Sequence, residues 1–346
     1  MEATPRIQSL ATAVPRHRWT QSQILEALQR HFPRYRDRRV ERLVMASGIE
    51  HRHLAFGPDD FDPTAAPDAL HDHYRRHAQA LGLDAARGAL RAADLSPADV
   101  DCIVATTCTG YVCPGLTGHL GAALGLRDDV QRADLVGMGC AGAMPSLQRA
   151  HDFVRAYPDR RALVVNVEIS SACWFVDDTL ETVVGNTICA DGAAALVVGA
   201  AGSSGPRLDR FETLLEPAFL DSVGLEFREG RQRIVLSKDL RFAAGPLVRR
   251  AVDRLLDASD LAYGEVDRWV VHSGGKRVLD SIDRALGFGD GELAHSRAVL
   301  RDYGNMSSPT LLFVLDRVMG EAQPGETGVL VALGPGLAAE TGLVRF

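Results

Sequence analysis

Two periodicities alternate along this chain. Apolar residues recur at helical spacing in Ile24, Leu25 and Leu28, in Leu83, Ala86, Leu90 and Ala93, and in Ala251, Val252, Leu255 and Leu256. Between such stretches run short, continuous apolar segments, among them residues 162–167 and 328–333. An unbroken apolar strand, rather than an alternating one, is expected where both faces of a sheet are covered. Thr20-Gln-Ser-Gln23 has the capping-box pattern and predicts a helix start just before Ile24. Helix and strand alternate to the end, which predicts a layered α/β fold. Residues 206–240, with Gly205-Pro206, Gly224 and Gly230, are the least regular; they predict hairpins or loops near the joint of two halves, 1–205 and 206–346.

The chain repeats itself once. Residues 89–105 read as a helix end, a turn and a strand, and residues 255–271 follow the same plan. Aligning Val100-Asp101 with Val266-Asp267 sets Thr106 opposite His272. From Thr106 to Cys140 is 34 positions (140 − 106), and from His272 to Asn305 is 33 (305 − 272). Cys140 and Asn305 therefore hold nearly equivalent places, each just ahead of a helical stretch and a further apolar strand. A duplicated α/β unit would bring such residues together near a pseudo-twofold axis; this is one duplication, not an array.

Cys140 follows an apolar run that ends in small residues, Gly-Met-Gly-Cys-Ala-Gly, and a helix pattern continues through Leu147, Ala150 and Val154. A thiol at a helix N-terminus meets unpaired N–H groups and the positive end of the macrodipole, which stabilise the reactive thiolate. The same placement suits a small buried core cysteine. Separately, His272 fits a core histidine and Asn305 a helix cap. Together, a cysteine nucleophile, a histidine and an orienting amide form a catalytic set adjacent in space rather than sequence.

Composition removes several classes of function. The net charge of −7 and the dispersed basic residues give no reason to expect a nucleic-acid partner. No apolar run approaches the roughly 20 residues of a membrane span, and Glu2, Arg6, Arg16 and Arg18 do not suit a signal peptide. The six cysteines (102, 108, 113, 140, 173, 189) lack C-x-x-C spacing, so no metal site is expected, and reduced thiols in a cytoplasmic protein are. Arg34-Tyr-Arg-Asp-Arg-Arg39 with Arg42 is the one basic cluster, either a solvated helix face or a phosphate contact.

The motifs around Cys140, His272-Ser-Gly-Gly, Gly304-Asn305-Met-Ser-Ser and Leu333-Gly-Pro-Gly-Leu-Ala-Ala-Glu340 resemble the type III polyketide synthases, the chalcone and stilbene synthase family. Ala105-Thr-Thr-Cys-Thr-Gly-Tyr-Val-Cys-Pro-Gly115 and Ala190-Asp-Gly-Ala-Ala-Ala195 extend the resemblance over most of the chain. Initiating β-ketoacyl carrier-protein synthases share Cys, His and Asn, but their histidine stands in a His-Gln-Ala-Asn context that is absent here. The resemblance implies a thiolase-like, duplicated five-layer αβαβα fold and a homodimer acting on coenzyme A thioesters without a cofactor. Cys140 is then the acyl carrier, with His272 as its ion-pair partner, and His272 and Asn305 assist decarboxylation of malonyl units. The product is expected to be a pyrone or resorcinol.

The resemblance also assigns a channel. Arg39 and Arg42 match two of the family's three basic tunnel residues; Ala46 replaces the third, and Lys238 is a candidate substitute. The family's gatekeeping phenylalanines fall on Cys189 and Ile234, and a cavity-lining threonine falls on Cys173, beside Trp174. Cys113 stands where the family usually projects a methionine into the neighbouring subunit. Cys108, Thr109, Gly275 and Ser307 complete the implied substrate-binding set. Losing both gates implies room for a medium or long acyl starter, with small core residues as the plainer account of Cys173 and Cys189. The altered basic set leaves an acyl carrier protein as a possible donor beside coenzyme A. A stand-alone ketosynthase or acyltransferase joining carrier-bound chains is the alternative function. A non-catalytic acyl-binding dimer would have lost one of the three residues, and none is lost.

Overall fold

A computed structural model describes residues 4–346 apart from 58–59, 61, 63, 176–178, 201–203, 238–239 and 290. The first half runs β1 (Arg6–Ala13), β2 (His17–Thr20), α1 (Gln21–His31), α2 (Arg38–Met45), β3 (His51–Leu54), α3 (Pro67–Ala92), β4 (Cys102–Thr107), α4 (Leu116–Leu124), β5 (Gln131–Val136), α5 (Ala143–Ala156), β6 (Ala162–Ile169), α6 (Leu180–Ile188) and β7 (Asp191–Gly199). The second runs β8 (Arg207–Leu215), β9 (Val223–Arg228), β10 (Arg231–Leu236), α7 (Leu240–Asp257), β11 (Arg268–Val271), α8 (Lys276–Leu286), α9 (Ala294–Tyr303), α10 (Pro309–Met319), β12 (Thr327–Gly334) and β13 (Ala338–Arg345).

The repeat is visible in the strand pairing. In the first half β4 runs parallel to β6, β6 antiparallel to β7, and β7 antiparallel to β1. In the second half β11, β12, β13 and β8 repeat that order and those directions. Beyond β4 the first half adds a parallel edge strand, β5, with no counterpart beside β11 among the described residues. The halves are joined edge to edge where β1 meets β8 at a single pair, Arg6 and Arg207, giving one nine-stranded order.

Strand composition follows from coverage on both sides. Ile103, Leu163, Val165 and Val197 pack outward against α3 and α4, while Val104, Val164 and Leu196 pack inward against α5 and α10. In the second half Trp269, Val271, Val329 and Val331 face outward with α7 and α8, and Val270, Leu330 and Val344 face inward. The result is five layers with α5 and α10 in the middle, a thiolase-like fold. Each such buried Val or Leu contributes about 1.5–3 kcal/mol, so the middle helices are held from two sides.

The capping box at Thr20 forms: its Oγ1 accepts from Gln23 N–H at 3.2 Å, and its own N–H donates to Gln23 Oε1 at 2.8 Å. The irregular stretch 206–240 needs one correction. Its first part, β8, belongs to the main sheet, and only β9 and β10 form a separate hairpin. Arg207, Asp209, Arg210 and Glu212 hid that strand, because one of its faces is only partly covered.

Candidate active site

Cys140 sits in a single 3-10 turn, Gly139–Ala141, between β5 and α5. The turn requires glycine at 139: φ is +49°, and a Cβ there would lie 2.6 Å from the Pro335 ring. Pro335 belongs to the second half, so the two halves touch right behind the thiol. His272 lies one residue past β11, and its N–H donates to Val331 O at 2.8 Å. Its imidazole is buried, and neither ring nitrogen has a hydrogen-bond partner among the described residues.

Asn305 follows Gly304, whose φ is +74° and where a Cβ would lie 2.8 Å from Arg52 Cγ and 2.9 Å from Ile188 O. Its backbone is stitched to the end of α6: Asn305 N–H donates to Ile188 O, and Ala190 N–H donates to Asn305 O, both at 2.8 Å. The side-chain amide is oriented by its partners. Oδ1 accepts from Ser307 N–H at 2.8 Å, and Nδ2 donates to Gly274 O at 3.3 Å. The second Nδ2 hydrogen is directed at Cys140 Sγ, 3.9 Å away. Asn305 is thus not the cap of α10; that position belongs to Ser308.

The electrostatics differ from the expected ion pair. Burial pushes the Cys140 thiol above its ordinary value, with the Glu168 carboxylate adding to the push and hydrogen bonds from Ser307 and Asn305 opposing it. Burial alone pulls His272 down to about 4. Both shifts favour the neutral forms over the expected ion pair. The physical reason is burial, which disfavours the charged form of each group; Cys140 lies two residues ahead of Gly142, the N-cap of α5. Among the cavity cysteines Cys140 is still favoured for ionisation. Burial drives Cys108 and Cys173 well above the usual thiol range and Cys189 to about 12.

The three residues open onto one cavity of about 460 Å³. Cys108, Thr109, Cys173, Cys189, Ile234, Gly275 and Ser307 line it with them, as do Val184, Ile188, Val223, Leu225 and Leu236. Arg39 and Arg42 stand exposed on α2, outside the lining, while Leu43 and Ala46 of that helix reach it. Lys238 lies outside the described residues. Trp174 packs instead against Phe56, ring centroids 5.8 Å apart, in the core under α1 and α2. Cys113 is exposed on the loop before α4, outside the cavity. Lys276 and Arg277, which sequence reasoning passed over, are exposed cations at the cavity's rim. Among the described residues no group of His, Cys, Asp or Glu is placed to hold a metal ion.

Two further buried charges frame the site. Glu168 Oε2 accepts from Cys108 N–H at 2.9 Å, Thr109 N–H at 3.1 Å and the Thr109 and Thr107 hydroxyls at 2.8 and 3.3 Å; Oε1 accepts from Ser308 Oγ at 3.0 Å. Arg52, fully buried, donates Nη1 to Asn186 O at 2.9 Å and Cys189 O at 2.6 Å, holding the segment that carries the Asn305 backbone. Only Glu168 had a signal, as an acid near the end of a largely apolar strand; Arg52 stands between two histidines, His51 and His53, and gave none.

The model for the FAE1/type III polyketide synthase-like proteins matches residues 14–211, and that for the C-terminal domain of chalcone and stilbene synthases matches residues 221–346. The chain belongs to the type III polyketide synthase family. A 3,5-dihydroxyphenylacetyl-CoA synthase of Streptomyces toyocaensis is 33% identical over 99% of this chain and 90% of its own length. The alpha-pyrone synthesis polyketide synthase-like Pks18 of Mycobacterium tuberculosis is 31% identical over 96% and 89%. The crystal structure of PKS-I from the brown alga Ectocarpus siliculosus superposes with a TM-score of 0.93 at 30% identity, covering 100% of this chain and 99% of that one. Type III polyketide synthases catalyse decarboxylative Claisen condensation of coenzyme A thioesters and are typically homodimers, so this chain is an acyltransferase of that kind.

Proposed function

We propose that this enzyme loads an acyl starter from coenzyme A onto Cys140, extends it with malonyl-CoA, and releases a cyclised pyrone or resorcinol. The observation that carries the reading is the convergence of Cys140, His272 and the Asn305 amide on one largely apolar cavity. Cys140 Sγ attacks the starter carbonyl and coenzyme A leaves as the thiol. His272, neutral and with an unengaged ring nitrogen, takes the Cys140 proton and returns it to the leaving group. The malonyl thioester oxygen then accepts hydrogen bonds from Asn305 Nδ2 and the His272 N–H. As the bond to the carboxylate breaks, carbon dioxide departs and the electron pair moves onto that oxygen as an enolate. Two fixed donors in a water-poor site stabilise this charge. The enolate carbon attacks the acyl-Cys140 carbonyl, the Cys140 thiolate leaves, and the chain on coenzyme A is two carbons longer.

The apolar walls, Val184, Ile188, Leu225, Ile234 and Leu236, support a medium-length alkyl starter. The steps balance without a metal or redox cofactor. The reading includes a homodimer and, with all six cysteines free, a cytoplasmic location. Among the described residues no helix is long and apolar enough to cross a membrane. Exposed Lys276 and Arg277 at the cavity's rim suit the phosphates of coenzyme A, with Arg39 and Arg42 exposed on the helix whose Leu43 and Ala46 reach the same cavity; a carrier protein offers the same pantetheine arm.

The test is an incubation of the purified protein with medium-chain acyl-CoA and malonyl-CoA, read by mass spectrometry of products and of intact protein. Products longer than the starter by two-carbon units are expected, with an acyl adduct on Cys140 that Cys140→Ala abolishes. Acyl adducts persisting in Cys140→Ala, or extension appearing only with an added carrier protein, would overturn the reading.

A further inference from the structure

The β9–β10 hairpin forms one wall of the cavity, and its inner face changes character along its length. Opposed residues of an antiparallel pair share a face, and the register sets Val223 against Leu236, Leu225 against Ile234 and Phe227 against Gln232. The first two pairs line the cavity. The third lies beyond that lining, and there both polar atoms of the Gln232 amide are engaged, on residues that do line the cavity. Gln232 Oε1 lies 2.8 Å from the Cys173 thiol, which donates to it, and Gln232 Nε2 donates to Cys108 O at 3.1 Å. The Cys173 thiol also lies 3.2 Å from Thr109 O, so the same knot ties in the Thr109 backbone. Beyond this latch the hairpin reaches solvent, where Phe227 is 75% exposed.

We propose that Gln232 is a specificity-determining residue that closes the inner end of the cavity and sets the length of chain it accepts. The proposal rests on the acyl-starter reading above and deepens it. Cys173, in the place where an open tunnel was expected, has its thiol spent on Gln232 and Thr109. A growing alkyl chain that follows Leu225 and Ile234 meets an amide bridging three segments: the hairpin, residues 108–109 and the turn Ser170–Cys173. Passing it would break two part-buried hydrogen bonds and leave their partners unpaired, which is costly. Chains that stop short of the latch keep a wholly apolar contact.

The experiment measures kcat/KM for a series of straight-chain acyl-CoA starters, and product lengths by mass spectrometry, in the wild type and in Gln232→Ala. The expected result is a cut-off in the wild type that moves at least two carbons longer in Gln232→Ala. Each methylene newly accommodated is worth about fourfold in relative kcat/KM, so the long-to-short ratio should rise at least roughly 15-fold. Gln232→Asn, one methylene shorter and unable to span both anchors, should shift it in the same direction and serves if Gln232→Ala does not fold, as judged by thermal melting. A length profile unchanged in the folded variants overturns the latch. If the wild type extends no acyl starter and primes only with malonyl-CoA, the starter reading fails by itself. The latch is then read from the number of extensions, which should rise in the variants; unchanged product length would overturn it there too.

Discussion

Thr106 and His272 occupy the same place in the two halves, at the end of the strands β4 and β11 that run parallel to β6 and β12. Both are buried, and both carry polar side-chain atoms without a partner among the described residues: Thr106 Oγ1, His272 Nδ1 and His272 Nε2. Their surroundings differ. Thr106 packs under the turn that carries Cys140, so closely that a Cβ on Gly142 would lie 2.4 Å from its Cγ2. His272 lines the cavity. A duplicated scaffold has thus supplied the same backbone position twice, once to support the nucleophile and once to serve the reaction. Architecture places the side chain; only its chemistry and its exposure to the cavity decide the role.

The largest effect expected from that contrast lies at the donors of the second half. Asn305→Ala should lower malonyl-CoA decarboxylation by about 100- to 1,000-fold, the usual loss for one donor to a developing oxyanion. Acyl loading on Cys140, measured separately by intact-protein mass spectrometry, should suffer far less. Equal losses in both steps would make Asn305 a structural residue.

A smaller effect concerns the protonation of the pair. With Cys140 raised and His272 lowered, the thiolate appears only as pH climbs past the ordinary thiol range, about 8.5. Iodoacetamide inactivation of the free enzyme should therefore rise about tenfold per pH unit through neutrality, with its inflection above that range. A plateau at neutral pH that vanishes in His272→Ala would restore the ion pair. The smallest effect belongs to Thr106. Thr106→Val keeps the packing shape and removes an unpaired buried hydroxyl, so activity should persist and stability stay level or rise by about 1 kcal/mol. A marked loss of turnover in that variant would give the first half a chemical role that its geometry does not show.

The repeat and the reactive trio were legible because both are written in local pattern and in the near-equal spacing from strand end to helix start. What escaped was set by contacts across the chain. Arg52 meets Cys189 from 137 positions away, and Gln232 meets Cys108 from 124. Neither partner is visible from either residue. Trp174 is adjacent to Cys173 in sequence yet faces a different core, since the turn Ser170–Cys173 ends between them. The ion pair was expected from residue types and a helix start; burial, which depends on everything around the pair, shifts both groups against it. β8 was hidden by its own charges.

The carboxylate of Glu168 has a mechanical consequence. It grips the Thr107–Thr109 backbone of one half and Ser308 at the head of α10 in the other, five donors on two oxygens. A rotation of the halves about their seam would have to tear this knot directly beneath the thiol. The two reactive junctions therefore behave as one stiff block, and breathing is left to parts outside the sheet. The β9–β10 hairpin pairs with no other strand among the described residues, yet Gln232 ties it to Cys108 and Cys173, and Val223 O accepts from Gly336 N–H at 2.9 Å. The distance between Cys140 and Asn305 should therefore hold steady throughout the cycle.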